Sequence, residues 1–333
     1  MRNPFRPPFP LIVAVLAVTF ACGPAKSPAP APTDPLPSWA DTAPKQRILD
    51  FVAAVTDKTG PDFVPAAERI ATFDNDGTLW VEKPDYVQFA FLFHEIDRMA
   101  PNHPEWKKTQ PFKAALKHDF KTIDSLGLQA GITLLLTTHT GMTQAEFARL
   151  ASDFLTTAKH PRYDRLYTEL VYQPMLELLD LLRANDFRVF IVSGGTVELI
   201  RGFADEVYGI PPENVIGTSF RYKFEAKPAP GRILREPKIV SFDDRGEKPA
   251  NIQLHIGRRP ILAFGNSDGD IQMMQFAPKS HPHLALLLHH DDADREYDYD
   301  HGTEEALKLA PDNNWQVVSI KDDFLRVFPF EGK

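Results

Sequence analysis

Short apolar runs, each closing on small or acidic residues and each following a helical pattern, constrain this 333-residue chain more than any other feature. Ile70–Phe73 runs into Asp74, Phe187–Val192 into Ser193-Gly194-Gly195, and Pro260–Phe264 into Gly265-Asn266-Ser267-Asp268-Gly269-Asp270. Asn214–Gly217, Leu284–Leu288 and Trp315–Ile320 read as further strands. The spacing predicts helices over 45–56, 173–185, 197–207 and 271–276, and one through Asn251. The second opens with Pro174 and carries Leu176, Leu179 and Leu182 at helical intervals. Strands alternating with helices predict an α/β fold with a Rossmann-like parallel sheet and helices on both faces. Ligands of such sheets bind at the carboxyl ends of the strands.

The chemistry-bearing residues fall at those ends. Residues i and i+2 of a strand point to one side, so Asp74 and Asp76 can reach one site. One carboxylate can act as a nucleophile and the other can move protons. The pair needs a cation nearby, or like-charge repulsion raises one pKa. At the second strand, the Ser193 hydroxyl, two glycines and a helix N-terminus make an anion site. At the Pro260 strand, Asn266, Asp268 and Asp270 offer oxygens to a hard cation.

Asp74-Asn75-Asp76-Gly77-Thr78 resembles the first motif of the haloacid-dehalogenase-like hydrolases, most of which are magnesium-dependent phosphatases. The Ser193 segment resembles the second motif. Lys248, in Gly246-Glu247-Lys248-Pro249, resembles the third-motif lysine, with Lys238 and Lys227 as substitutes. Gly265 to Asp270 resembles the fourth motif, with Asn266 where the family carries an aspartate. The likeness spans roughly residues 68 to 320. It implies a phosphoserine-phosphatase-like enzyme with a helical cap, acting on a small phosphomonoester. Asp74, Asp76, Ser193 and Lys248 are then catalytic. Asp74, Asp76, Asn266, Asp268 and Asp270 are candidate magnesium ligands, and Gly77, Ser193, Gly194 and Lys248 hold phosphate. Glu82 follows the first motif near where some relatives place an acid for a substrate ammonium, one residue short of that offset. A non-catalytic binding protein on the same fold, dehalogenation and phosphonate hydrolysis are the competing readings.

Between the first two motifs, residues 84–170 read as the helical cap, leaving 41–83 and 171–333 as the core domain. Phe89, Phe93, Ile96 and Ala100 form one helical stripe, and Ala145, Ala148, Ala151 and Leu155 another. Phe220 to Val240 alternates around Lys227-Pro228-Ala229-Pro230-Gly231 and predicts a hairpin at the edge of the core. His289-His290-Asp291-Asp292 reads as a solvated strand end, because adjacent strand residues face opposite ways. His281-Pro282-His283 has the same reading, and Arg258-Arg259 reads as surface capping or pairing.

The net charge of −8 excludes a nucleic-acid backbone as partner, which would need basic patches. At the N-terminus, Arg2 and Arg6 precede the eleven-residue apolar run Leu11–Ala21, too short to span a bilayer. With Cys22, the only cysteine, this segment resembles a bacterial lipoprotein signal, 1–22. It implies export to the periplasm or cell envelope, with contact to the membrane only through a lipidated Cys22. Six prolines among residues 23–38 make an extended tether, taken to end near residue 40. The oligomeric state is open at this level.

Overall fold

The computed structural model describes residues 34–277 and 282–332, so the Cys22 segment, most of the tether and His281 lie outside the described residues. The strands are β1 (Ile70–Phe73), β2 (Arg188–Thr196), β3 (Val215–Glu225), β4 (Arg232–Ser241), β5 (Leu262–Gly265), β6 (Leu284–Asp291), β7 (Asp298–Tyr299) and β8 (Gln316–Ser319). They form one sheet in the order β4-β3-β2-β1-β5-β6-β7, with β8 also pairing β6. The pairs β3–β2, β2–β1, β1–β5, β5–β6 and β6–β8 are parallel. The expected α/β architecture is the observed one.

Both faces of the central strands β1, β5 and β6 are buried, as their continuous apolar runs require. Alternate residues divide between two cores. Phe73, Ile191, Phe264 and Leu286 face the larger one, with the helices Ala43–Thr56 and Gln173–Ala184. Val192, Ala263 and Leu287 face the smaller one, with the helices Glu247–His255, Ile271–Gln275 and Glu304–Leu309.

Between β1 and β2, helices from Val87–Met99 to Leu128–His139 enclose a third core around Phe93, Ile96, Trp106 and Leu134. The last helix of the insertion, Gln144–Thr157, behaves differently. It starts on a capping box between Thr143 and Glu146 and buries Phe147, Leu150, Ala151, Phe154 and Leu155 in the larger core. Ala145 and Ala148, expected on its apolar stripe, are exposed. The bulky Phe and Leu side chains bury far more apolar area than alanine and so set the helix's rotation.

Two further expectations are corrected. The fold begins before residue 40: Leu36 and Trp39 are fully buried, and the Trp39 indole packs on Phe324 at 5.1 Å. The expected helix over 197–207 is two short ones, Val197–Arg201 and Ala204–Tyr208, so the helix N-terminus expected beside Ser193 belongs to a five-residue segment. The hairpin β3–β4 stands at one edge of the sheet as expected, and it also pairs with the insertion through Thr143 and Leu234. Its Arg235 is 1 % exposed and donates to the His139 carbonyl at 2.6 Å while pairing with Glu198 at 3.0 Å.

Candidate active site

Asp74 follows β1 directly, and its amide donates to the Phe264 carbonyl of β5 at 2.9 Å. That bond locks the start of the loop to the neighbouring strand end. From the first turn of the helix Glu247–His255, Lys248 reaches into the sheet with 2 % exposure. Its Nζ donates to Asp74 Oδ1 at 2.7 Å, to Asp270 Oδ1 at 2.6 Å and to the Val192 carbonyl at 2.9 Å. An ammonium has three donors, and all three are used. The third-motif assignment therefore falls on Lys248. Lys238 and Lys227 stand on or beside the hairpin β3–β4.

These partners shape the electrostatics. Burial disfavours the Lys248 ammonium, but Asp270 and Asp74 outweigh it and its pKa is raised. Burial drives the Asp74 carboxyl well above the usual carboxylate range, with Asp270 and Asp76 pushing the same way and Lys248 opposing. Asp76 is pushed up to about 6, mainly by burial, against the hydrogen bond that its Oδ1 accepts from Trp80 Nε1 at 2.9 Å.

The fourth-motif loop divides its roles. Asp270 is fully buried, and its Oδ2 accepts from the Asn266 and Ser267 amides at 3.0 Å each and from Ser267 Oγ at 3.1 Å. With Lys248 on Oδ1, Asp270 holds the loop and the lysine together. Asp268 is turned away from the site: its Oδ1 accepts from the Ala306 amide at 2.8 Å, at the start of the helix Glu304–Leu309. The expectation of Asp268 as a magnesium ligand is therefore corrected. A carboxylate is stabilised at a helix start by the free amides there.

Asn266 is buried, with Thr78 Oγ1 3.0 Å from its Oδ1 and no partner for Nδ2. The two amide atoms are interchangeable in assignment. Exchanging them lets the nitrogen donate to Thr78 and frees the oxygen for a cation. Among the described residues, no three or more His, Cys, Asp or Glu side chains are grouped to hold a metal ion. Magnesium is bound through one or two carboxylates, substrate phosphate and water, so Asp74, the Asp76 carbonyl and Asn266 are a chemically suitable oxygen set.

Gly77 has φ +74°, and a Cβ there would sit 2.2 Å from Asn266 Nδ2 and 2.7 Å from Glu82 Cδ. Its amide donates to the Trp80 carbonyl at 2.8 Å. The expected phosphate contact through that N–H is thus corrected: the donor closes the loop instead. Gly77→Ala is expected to destabilise the fold by about 1–3 kcal/mol, from left-handed backbone strain alone. Urea denaturation of both proteins checks this, and an unchanged midpoint would refute it.

Ser193 is buried and accepts from the Gly195 amide at 3.1 Å, at the irregular end of β2. A Cβ on Gly195 would lie 3.5 Å from Asp76 Oδ2 and 3.4 Å from Ser193 Oγ, so this backbone sits between the two side chains. The Gly194 carbonyl accepts from Thr218 Oγ1 at 2.7 Å. Glu82 is 4 % exposed, accepts from the Tyr299 hydroxyl at 2.7 Å and pairs with Lys83 at 3.3 Å. Its charge is already answered by Lys83, which leaves little to attract a substrate ammonium.

Sequence reading missed His290. Taken as solvated, it is 1 % exposed and lies under the Asp74–Gly77 loop. Its Nε2 donates to the Gly77 carbonyl at 2.8 Å, and Nδ1 faces Glu296 Oε2 at 2.9 Å. Burial opposes the charged ring, but Glu296 outweighs it and raises the His290 pKa. One signal was available: His290 continues the alternation of Leu284, Leu286 and Leu288, which face the larger core.

Asp74, Asp76, Ser193, Gly194 and Lys248 line one cavity of about 340 Å³ that opens between the strand ends and the insertion. Nearby, Gln88 of the insertion accepts from the Thr196 amide at 2.9 Å and from its hydroxyl at 2.8 Å.

The sequence matches the haloacid dehalogenase-like hydrolase family over residues 71–275. No curated protein matches it. A conserved protein of unknown function from Anaerococcus prevotii has a similar structure, with TM-score 0.54 and 16 % identity over 83 % of this chain and 91 % of that one. A phosphoserine phosphohydrolase-like protein from Francisella tularensis aligns with TM-score 0.41 and 18 % identity, over 75 % of this chain and 94 % of that one.

Proposed function

We propose, for a chain that belongs to the haloacid dehalogenase-like hydrolases, that its reaction is hydrolysis of a small phosphomonoester through an aspartyl-phosphate. The observation that carries this reading is the buried Asp74–Lys248–Asp270 bridge with Asp76 two residues on, Asp74, Asp76 and Lys248 lining one cavity. Asp74 Oδ attacks phosphorus, and the ester oxygen departs. Asp76, whose pKa of about 6 allows both protonation states near neutrality, donates a proton to that oxygen. It then takes a proton from the water that cleaves the acyl phosphate. Ser193 offers its hydroxyl to a phosphoryl oxygen, and Lys248, its donors spent on Asp74, Asp270 and the Val192 carbonyl, acts by its charge alone, so catalysis rests on positioning and charge stabilisation.

Magnesium is the cofactor of this proposal, with Asp74, the Asp76 carbonyl and Asn266 as its protein oxygens. Bound there, it would supply positive charge that keeps Asp74 ionised and offsets the phosphoryl charge. Hydrolysis of p-nitrophenyl phosphate by the purified chain is expected with magnesium, to fall at least about 100-fold with chelator, and to return when magnesium is restored. Chelator-insensitive turnover would remove the metal from the proposal. No turnover of this or other small phosphomonoesters, with metal present, would remove the phosphatase reading.

The N-terminal segment carries a second part of the proposal, that Cys22 is lipidated and holds the domain at a membrane of the cell envelope. Its support is the sequence pattern alone, and metabolic labelling with a radioactive fatty acid tests it.

A further inference from the structure

The cavity has two chemically different ends. Its polar end holds Asp74, Asp76, Ser193 and Lys248. Towards the insertion it is walled by Phe89, Leu92, Phe120, Ile123, Ile132 and Leu135. Lys248 is the only lysine or arginine among the lining residues, and its three donors are used inside the protein. Gln88 and Glu82 are committed within the protein, and the further lining groups Tyr86, Asp124 and Asp244 bring no positive charge. Gln88 Oε1 accepts twice from Thr196, its Nε2 meets His139 Nε2 at 2.8 Å, and Glu82 is held by Tyr299 and Lys83. At the rim, Leu128 is 69 % exposed and Phe242 43 % exposed.

Resting on the phosphatase reading above, we infer that the leaving group is an apolar alcohol: the site takes a phosphomonoester whose alkyl chain lies along the insertion. A sugar, amino-acid or nucleoside leaving group would set hydroxyl or carboxylate groups against these six apolar side chains, and burying such groups unpaired is unfavourable. An alkyl chain loses nothing there and gains burial with every methylene. The cavity's volume, about 340 Å³, holds more than a phosphoryl group and falls within the range of small-ligand pockets.

The test is a series of ethyl, butyl, hexyl and octyl phosphates assayed on the full chain, beside phosphoserine, glucose 6-phosphate and phosphocholine. We expect kcat/KM to rise about threefold to fourfold per methylene until the wall is covered, with the octyl ester at least about 100-fold above phosphoserine. Ile132→Asn should flatten that slope. A flat or falling series, or preference for any of the three polar esters, overturns the inference and leaves the phosphatase reading standing. A second arm does not depend on turnover. Octylphosphonate should bind Asp74→Asn at least about 30-fold more tightly than ethylphosphonate in calorimetry. Chain-dependent binding without hydrolysis of any ester would overturn the phosphatase reading while keeping the apolar site, and equal binding of the two phosphonates would overturn the site.

Discussion

Lys248→Met is expected to be the most damaging single substitution, lowering kcat by about 1000-fold or more and destabilising the fold by about 3–5 kcal/mol. Methionine roughly matches the aliphatic stem but removes the charge. Asp74 and Asp270, at 6 % and 0 % exposure, would then be left without their shared cation. The Val192 carbonyl would lose its partner as well. Removing one member of a buried ionic set leaves the others uncompensated, which costs far more than the pair is worth as a net interaction. The Asp74 carboxyl, already raised by burial and opposed only by Lys248, would be driven towards protonation, so the nucleophile would be lost with the fold's rigidity. Chemical denaturation and single-turnover kinetics separate the two effects. A variant as stable as wild type would show that Lys248 does not hold the two acids together.

Asp74→Asn should separate activity from stability in the opposite way. Turnover is expected to fall by about 1000-fold or more, because a carboxamide cannot serve as the attacking group. Stability should change by no more than about 1 kcal/mol. Asparagine keeps the shape and an oxygen that can accept from Lys248, while Lys248 keeps its ion pair with Asp270. The lost attraction to Lys248 is offset by relief of burial and of repulsion from Asp270 and Asp76, the influences that raise the Asp74 pKa. Thermal melts beside p-nitrophenyl phosphate assays check both halves. Wild-type turnover in this variant would eliminate Asp74 as nucleophile. A large loss of stability would mean that its charge, rather than its shape, supports the loop.

The two substitutions also mark where sequence reasoning was strong and where it was not. Asp74 and Asp76 stood out because their environment is local: an apolar strand, then two acids two residues apart. Lys248 was visible only through family likeness, since nothing in Gly246-Glu247-Lys248-Pro249 says that a lysine will be drawn into the sheet. Asp268 and Asp270 looked equivalent in the sequence. They differ because one meets the free amides of a helix start and the other meets Lys248. Gly77 looked like a phosphate donor, but its amide is taken by Trp80 three residues on. Of the stripe read at 145–155, Ala151 and Leu155 are buried, while Ala145 and Ala148 lost to side-chain size, since Phe147 and Phe154 bury more surface.

By itself, then, the sequence determined what depends on neighbours along the chain. The strand–helix alternation specified a parallel sheet, and the polar residues closing each apolar run put the chemistry at one edge of it, because strand direction and side-chain alternation are properties of local backbone geometry. Only the tertiary structure decided what depends on distant partners. It brought Lys248 between Asp74 and Asp270, set the imidazole of His290 under Gly77, and placed an apolar wall opposite the acids. Those arrangements are fixed by burial and charge pairing between residues up to 213 positions apart, and no periodicity in the chain encodes such a separation.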